Sequence, residues 1–238
     1  MADVSQQQEQ QPANIKPRQL YTIWLSPFAR KIIVQMEEKK LPYTLVQERI
    51  WERRPAFMAM NPAGQVPVLV EPDGQVICHS SSIAEYLEET EAAVSLLGNT
   101  PYQRAETRRL VAWFDQKFQL EVTRNLLDEK IFKRLMRQAE PNSATLRAGL
   151  QNIHYHLDYI GYLTEQRNWL AGETFSLADI TAAAHLSSLD YLGDVPWADH
   201  MAAKTWYARV KSRPSFRPIL AERMPSLPPS AHYLNLDF

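Results

Sequence analysis

Residues 61–82, NPAGQVPVLVEPDGQVICHSSS, hold the residue types that can grip a small peptide-like molecule. Pro62 fixes its own φ and Gly64 tolerates positive φ, so Asn-Pro-Ala-Gly forms a turn. Val66, Val68 and Val70 then alternate with Pro67, Leu69 and Glu71 as a short strand. A proline inside a strand gives up a ladder donor, which puts Val66 and Pro67 at its start or edge. With a cis bond between them, the backbone N–H and C=O of Val66 face outward, free to hold an extended peptide. Asp73-Gly74 reads as a two-residue hairpin turn, with Val76, Ile77 and Cys78 as the return strand. His79 and the serines at 80, 81 and 82 stand at a helix start, where unpaired N–H groups and the helix dipole favour an anion. A peptide held at Val66 and a carboxylate held near Ser80 is the chemistry on offer.

Ser26 is the other reactive candidate. It sits at a strand-to-helix junction, where its hydroxyl and the helix N-terminus can stabilise a thiolate, or where it simply caps the helix. Arg30 can pair with a ligand carboxylate or stay solvated on an amphipathic helix. Cys78 lies in a strand and reads as a small buried residue. His154 and His156 are two apart, on different helix faces, and no other set supplies metal ligands. Arg49, Arg53 and Arg54 around Trp51 form a basic, aromatic group of the kind protein interfaces favour, or a solvated face.

Bulk properties narrow the classes. The chain has 238 residues, 45% hydrophobic and 22% charged, enough to bury a substantial core. A net charge of −1 gives no field toward nucleic acid or acidic membrane. The single cysteine excludes an internal disulfide and fits a reducing cytoplasm. No apolar run approaches the ~18 residues needed to cross a bilayer, so no membrane insertion is expected. Residues 1–18 are Gln-rich and polar and read as a disordered arm.

The elements that must position these residues follow from periodicity. Leu20 to Leu25 is a β-prone run, and Ser26-Pro27 opens a helix on which Ala29, Ile32, Ile33 and Met36 recur while Arg30, Lys31 and the following acids and lysines face solvent. Tyr43 to Gln47 is a second strand, Trp51 to Met60 a short helix or helical turn, and Ile83, Tyr86 and Leu87 mark another helix ending near Thr90. The order β-α-β-α-β-β-α over residues 19–90 is that of a thioredoxin-like domain. Periodicity fades over 91–100, a linker. Residues 101–222 are helical throughout: Leu110, Val111, Phe114 and Phe118 form one stripe, and Leu146, Leu150, Ile153, Leu157, Ile160 and Leu163 another. Ser176-Leu-Ala-Asp179 is a capping box before Ile180, with Phe175 able to staple onto it. The expected fold class is therefore α/β followed by all-α, with an extended tail over 223–238.

Asn-Pro-x-Gly-x-Val-Pro, its hairpin, the serine at the next helix start, the capping box and the terminal Arg-Pro-Ser-Phe resemble the glutathione transferases from about Leu20 to Phe216. The resemblance implies that Val66 beside a cis Pro67 holds the cysteinyl part of glutathione. It implies that Ser80 holds the γ-glutamyl end and that Ser26 occupies the place of the catalytic serine. The family usually has Glu before that second serine, and this chain has His79, which supplies no counter-charge to the ligand's amino group. No other cofactor is implied, and thiol-transfer chemistry is not expected without a cysteine near Ser26. The tail, MPSLPPSAHYLNLDF, departs further: its prolines favour an extended path, and Tyr233, Leu234, Leu236, Asp237 and Phe238 end it in an apolar run with a carboxylate. It either folds back on its own helices or presents a short peptide to a partner's groove. Together with Trp51-Glu-Arg-Arg, these departures resemble a bacterial cell-division branch of the family. That branch implies a cytoplasmic homodimer at the division site that binds FtsZ filaments and signals through the tail to septal division proteins. The alternative is an active serine-type transferase that adds the glutathione thiolate to small electrophiles.

Overall fold

The computed structural model describes residues 17–137, 139–225 and 227–236. Most of the expected N-terminal arm, residues 1–16, lies outside them, as do Asp237 and Phe238. Arg18, assigned above to the arm, instead opens the first strand.

The N-terminal half runs β1 (Arg18–Thr22), α1 (Pro27–Glu38), β2 (Tyr43–Gln47), a 3₁₀ turn (Ile50–Glu52), α2 (Pro55–Met60), β3 (Val68–Val70), β4 (Val76–Cys78) and α3 (Ser80–Thr90). Its four-stranded sheet has the order β2-β1-β3-β4, with β1 parallel to β2 and the other pairs antiparallel. Two local expectations change. The expected helix from Trp51 to Met60 is broken by Arg53 in the left-handed region and by Pro55, which opens α2. The hairpin loop has three residues, not two: the Glu71 N–H donates to the Gln75 carbonyl at 2.9 Å, leaving 72–74 as the loop with Gly74 at φ +92°. Pro72 has no N–H to give the ladder, so the pairing stops before it.

The C-terminal half is all helical. A long rod comprises α4 (Pro101–Ala112), a π-wound segment (Trp113–Phe132) and α5 (Lys133–Leu135). Then follow α6 (Ser143–Gln166), α7 (Leu177–Leu192), α8 (Met201–Lys211) and α9 (Arg217–Ala221). The stripes are largely inside: Leu110, Phe114, Phe118, Ile153, Leu157 and Ile160 are fully buried, whereas Leu150 stands 40% exposed. The capping box forms as spaced. Ser176 caps α7, and Asp179 accepts from the Ser176 N–H at 3.0 Å, the Leu170 N–H at 2.9 Å and the Trp206 indole at 2.9 Å. Among the described residues no helix is long and apolar enough to cross a membrane.

The largest departure concerns α1. Its cations were expected in water, yet Arg30 is 1% and Lys31 0% exposed. The helix is sandwiched: the sheet and α3 lie on one side, and α7 and α9 pack against it from the other half. The cations enter because each meets an acid from a distant element. Arg30 pairs with Glu222 at 2.6 Å, Lys31 with Asp115 at 2.5 Å and Lys39 with Glu88 at 3.0 Å. Burial alone would raise the Asp115 carboxyl, but Lys31 and His185 outweigh it and hold the group below its ordinary value.

Candidate functional site

The turn before β3 is stitched by one side chain. Asn61 is buried, its amide donates to the Gln65 carbonyl at 2.7 Å, and its Oδ1 accepts from the Ala63 N–H at 3.2 Å. Gly64 takes φ +65° where a Cβ would approach the Met58 sulfur at 3.2 Å. The Val66–Pro67 bond is cis, and β3 begins only at Val68, so Val66 precedes the ladder. A small cavity of about 110 Å³ follows, lined by Phe28, Gln65, Val66, Pro67, His79 and Ser80. The structure thus brings together the four residues expected to form the groove.

His79 follows β4 and caps α3 without a side-chain hydrogen bond. It is exposed at φ +74°, an unusual conformation for a residue with a Cβ. Its carbonyl accepts the first helical bond, from the Ile83 N–H at 2.9 Å, while Ser80 is buried at the helix start. Cys78 also lines this cavity, but burial pushes its thiol up, and its Sγ donates to the Met60 carbonyl at 3.3 Å. It is therefore a poor source of thiolate.

Ser26 faces a second, larger cavity of about 750 Å³ between the halves, which shares Phe28, Gln65 and Val66 with the first. Its hydroxyl accepts from the Ala29 N–H at 3.3 Å, which is the capping role. The residue before it, Leu25, has φ +59° and is clamped from the helical half. Its N–H donates to Glu222 at 3.1 Å, and its carbonyl accepts from the Ser188 hydroxyl at 2.8 Å. Glu222 in turn holds Arg30, whose other nitrogen donates to the Ser187 hydroxyl at 2.9 Å. Arg30 therefore serves the junction, not a ligand.

The far wall of the large cavity holds groups that sequence reasoning missed. Asp128 and Arg124 lie one helical turn apart on the π-wound segment, and Gln119 presents a buried Oε1 with no hydrogen-bond partner among the described residues. Burial pushes the Asp128 carboxyl up to about 6, against the pull of Arg124. Only the recurrence of cations at 124, 130, 133, 134 and 137 near the end of a helical pattern could have drawn attention to this wall.

The basic group divides. Arg49 pairs with Glu52 at 3.1 Å, and Arg54 is committed to the buried carboxylate of Glu48. Arg53 is exposed without an ion pair among the described residues, and Trp51 is half-buried. Their neighbour Ile50 reaches the large cavity. The tail also divides. Tyr233 is fully buried, donates to the Ile219 carbonyl at 3.1 Å and meets Tyr191 edge-on with ring centres 5.1 Å apart. His232 contacts Asp190 at 2.8 Å, and the Tyr191 hydroxyl donates to the Leu227 carbonyl at 2.6 Å. The tail thus folds back as far as Tyr233, which is an anchor and not an exposed contact. Leu234 and Leu236 beyond it are 51% and 39% exposed. Among the described residues no group of three His, Cys, Asp or Glu side chains is placed to hold a metal ion.

A thioredoxin-like sheet domain followed by an all-helical domain, with a cis-proline groove where they meet, defines the class. Residues 25–90 match the family described as glutathione S-transferase, N-terminal domain, and 129–214 match glutathione S-transferase, C-terminal domain. The chain belongs to the glutathione S-transferase family. It is 52% identical to FtsZ-localized protein A of Caulobacter vibrioides over 224 residues, covering 93% of this chain and 98% of that protein. Among solved structures, FzlA from C. crescentus superposes with a TM-score of 0.90 at 51% identity, covering 94% of this chain and all of that one. A glutathione S-transferase from Rhodospirillum rubrum superposes with a TM-score of 0.91 at 55% identity, covering 93% of this chain and all of that one.

Proposed function

We propose that this chain is a bacterial cell-division factor that keeps the glutathione-transferase scaffold, binds FtsZ filaments as a cytoplasmic homodimer at the division site, and performs no conjugation. The observation that carries this reading is the 52% identity to FtsZ-localized protein A across nearly the full length of both chains. The groove is consistent with it. Where the family resemblance calls for an acid, His79 offers no counter-charge to a ligand's amino group, and the Ser26 hydroxyl is engaged as a cap. Arg53, Trp51 and the exposed end of the tail are the contacts we assign to partners, with the 19–90 and 101–222 units as the two halves of the scaffold.

The test is co-sedimentation with FtsZ polymers in the presence of GTP. The full chain is expected to pellet with filaments, and its absence from the pellet overturns the proposal. A calorimetric titration with glutathione, and an assay with a chloronitroaromatic electrophile, are expected to show neither binding nor turnover. Saturable binding with turnover would instead assign a serine-type transferase, with Ser26 at the thiolate, Val66 on the peptide backbone and Ser80 at the γ-glutamyl carboxylate.

A further inference from the structure

The large cavity and its rim carry one inference, which rests on the filament-binding reading above. Apolar side chains form much of its walls: Ile23, Phe28 and Ile50 from the sheet half face Leu127, Phe132 and Met136 from the helical half. The helical rim is basic. A second depression of about 670 Å³, lined by Lys130, Lys133, Arg134 and Arg137 against a single acid, Glu140, shares Lys133 with the first. Lys130 and Lys133 are neutralised by Asp194 and Glu129. Arg124, Arg134 and Arg137 are exposed and have no ion pair or side-chain hydrogen bond among the described residues. Asp128 also lines the cavity and has no side-chain hydrogen bond among the described residues.

Size decides what kind of partner this fits. The stretch from Arg124 through the helix end at Leu135 to Arg137 spans roughly 15–20 Å, about the reach of five or six extended residues. Three unpaired guanidiniums along that length match carboxylates, because the guanidinium fork binds them in two-pronged fashion. We propose that the cleft between the halves seats an acidic, extended segment of the filament subunit. One apolar side chain fills the cavity, and its carboxylates lie against Arg124, Arg134 and Arg137. Ile50 links the cavity to the loop that carries Trp51 and Arg53.

The experiment compares the full chain with its Arg134→Glu/Arg137→Glu variant in sedimentation with FtsZ polymers and GTP, from about 50 to about 300 mM salt. Lys40→Glu, at an exposed site beyond α1, is the control. The double variant is expected to keep its melting temperature, to half-saturate about tenfold higher and to lose most of the salt dependence, whereas Lys40→Glu matches the parent. If the parent pellets and the double variant pellets equally well, the cleft inference is overturned while the filament reading stands. If the parent does not pellet at all, the filament reading itself fails. Met136→Glu places a like charge inside the cavity and must weaken pelleting too; unchanged pelleting by this variant overturns the role of the apolar pocket. If a short DNA duplex displaces the chain from filaments as well as an acidic peptide does, the rim is a general polyanion surface and the inference falls.

Discussion

Along the seam between α1 and α7 every buried cation meets an acid, whereas at the mouth of the large cavity Lys130 and Lys133 are paired but three arginines have no ion pair among the described residues. Arg30 and Lys31 are almost wholly enclosed, and Glu222 and Asp115 lie within 2.6 Å of them. Arg124, Arg134 and Arg137 have no such partners among the described residues, and Asp128 is held partly out of water without a hydrogen bond. Both regions join the same two halves of the chain. Paired ions in the seam fix the geometry of the Leu25–Ser26 junction, and unpaired ions at the mouth are left to meet something else. Burying a charge without a partner costs several kcal/mol, so the contrast is a sorting of structural from available groups.

The strongest way to break this contrast is to empty the seam. Arg30→Met leaves Glu222 beside an apolar side chain and frees the Leu25 clamp, and should cost about 3–5 kcal/mol in denaturant unfolding. A loss below about 1 kcal/mol would mean that the seam ions are no more structural than those at the mouth. The tail offers the same contrast within five residues. Tyr233→Ala should cost about 3 kcal/mol, because it opens a cavity between Tyr191 and Ile219. Leu234→Ala and Leu236→Ala should stay within about 0.5 kcal/mol, and a larger loss would show that the exposed end also packs.

Much of this arrangement was legible before any coordinates. The capping box at Ser176 and Asp179, the turn at Asn61 and the Val66–Pro67 groove depend on residues a few positions apart, and local sterics and hydrogen bonds decide them. The buried state of Arg30 was not legible. Its partner Glu222 is 192 positions away, and an arginine on an amphipathic helix looks the same whether it meets water or an acid. The hairpin was misjudged for a local reason: Asp-Gly is a strong turn signal, but Pro72 one position earlier lengthens the loop by a residue. Asp128 and Gln119 were invisible because their isolation is a property of the surroundings, not of the residues. The Tyr233 anchor was likewise hidden, since an apolar tail has the same composition whether it packs or projects.

A gentler probe of the mouth is pH. The folded Asp128 carboxyl titrates near 6, above the ~3.9 of an unfolded chain, so the folded state binds more protons across that window. Its contribution to stability is therefore present below about pH 4 and lost as pH rises through 6. Asp128→Asn removes the titration. The variant's unfolding free energy should match the parent's near pH 4 and exceed it above pH 7 by about 1–2 kcal/mol after solvent screening. Equal unfolding free energies at both pH values would place Asp128 among the ordinary surface acids. The smallest expected effect is at the groove. His79→Glu places an acid where the family resemblance calls for one, and should bring weak glutathione binding into view on titration where the parent shows none. No gain on titration would show that the missing acid is not what sets glutathione affinity here.

The grip of Glu222 on Leu25 and Arg30 has one more consequence. The carboxylate comes from just past the last helix of the C-terminal half, and what it secures is the first strand-to-helix corner of the N-terminal half. The two ends of the fold are latched like a clasp, so neither half is a free module. A chimera that imported another sheet domain lacking arginine at that corner would strand an acid at the clasp, and inheritance of this architecture favours both halves travelling together.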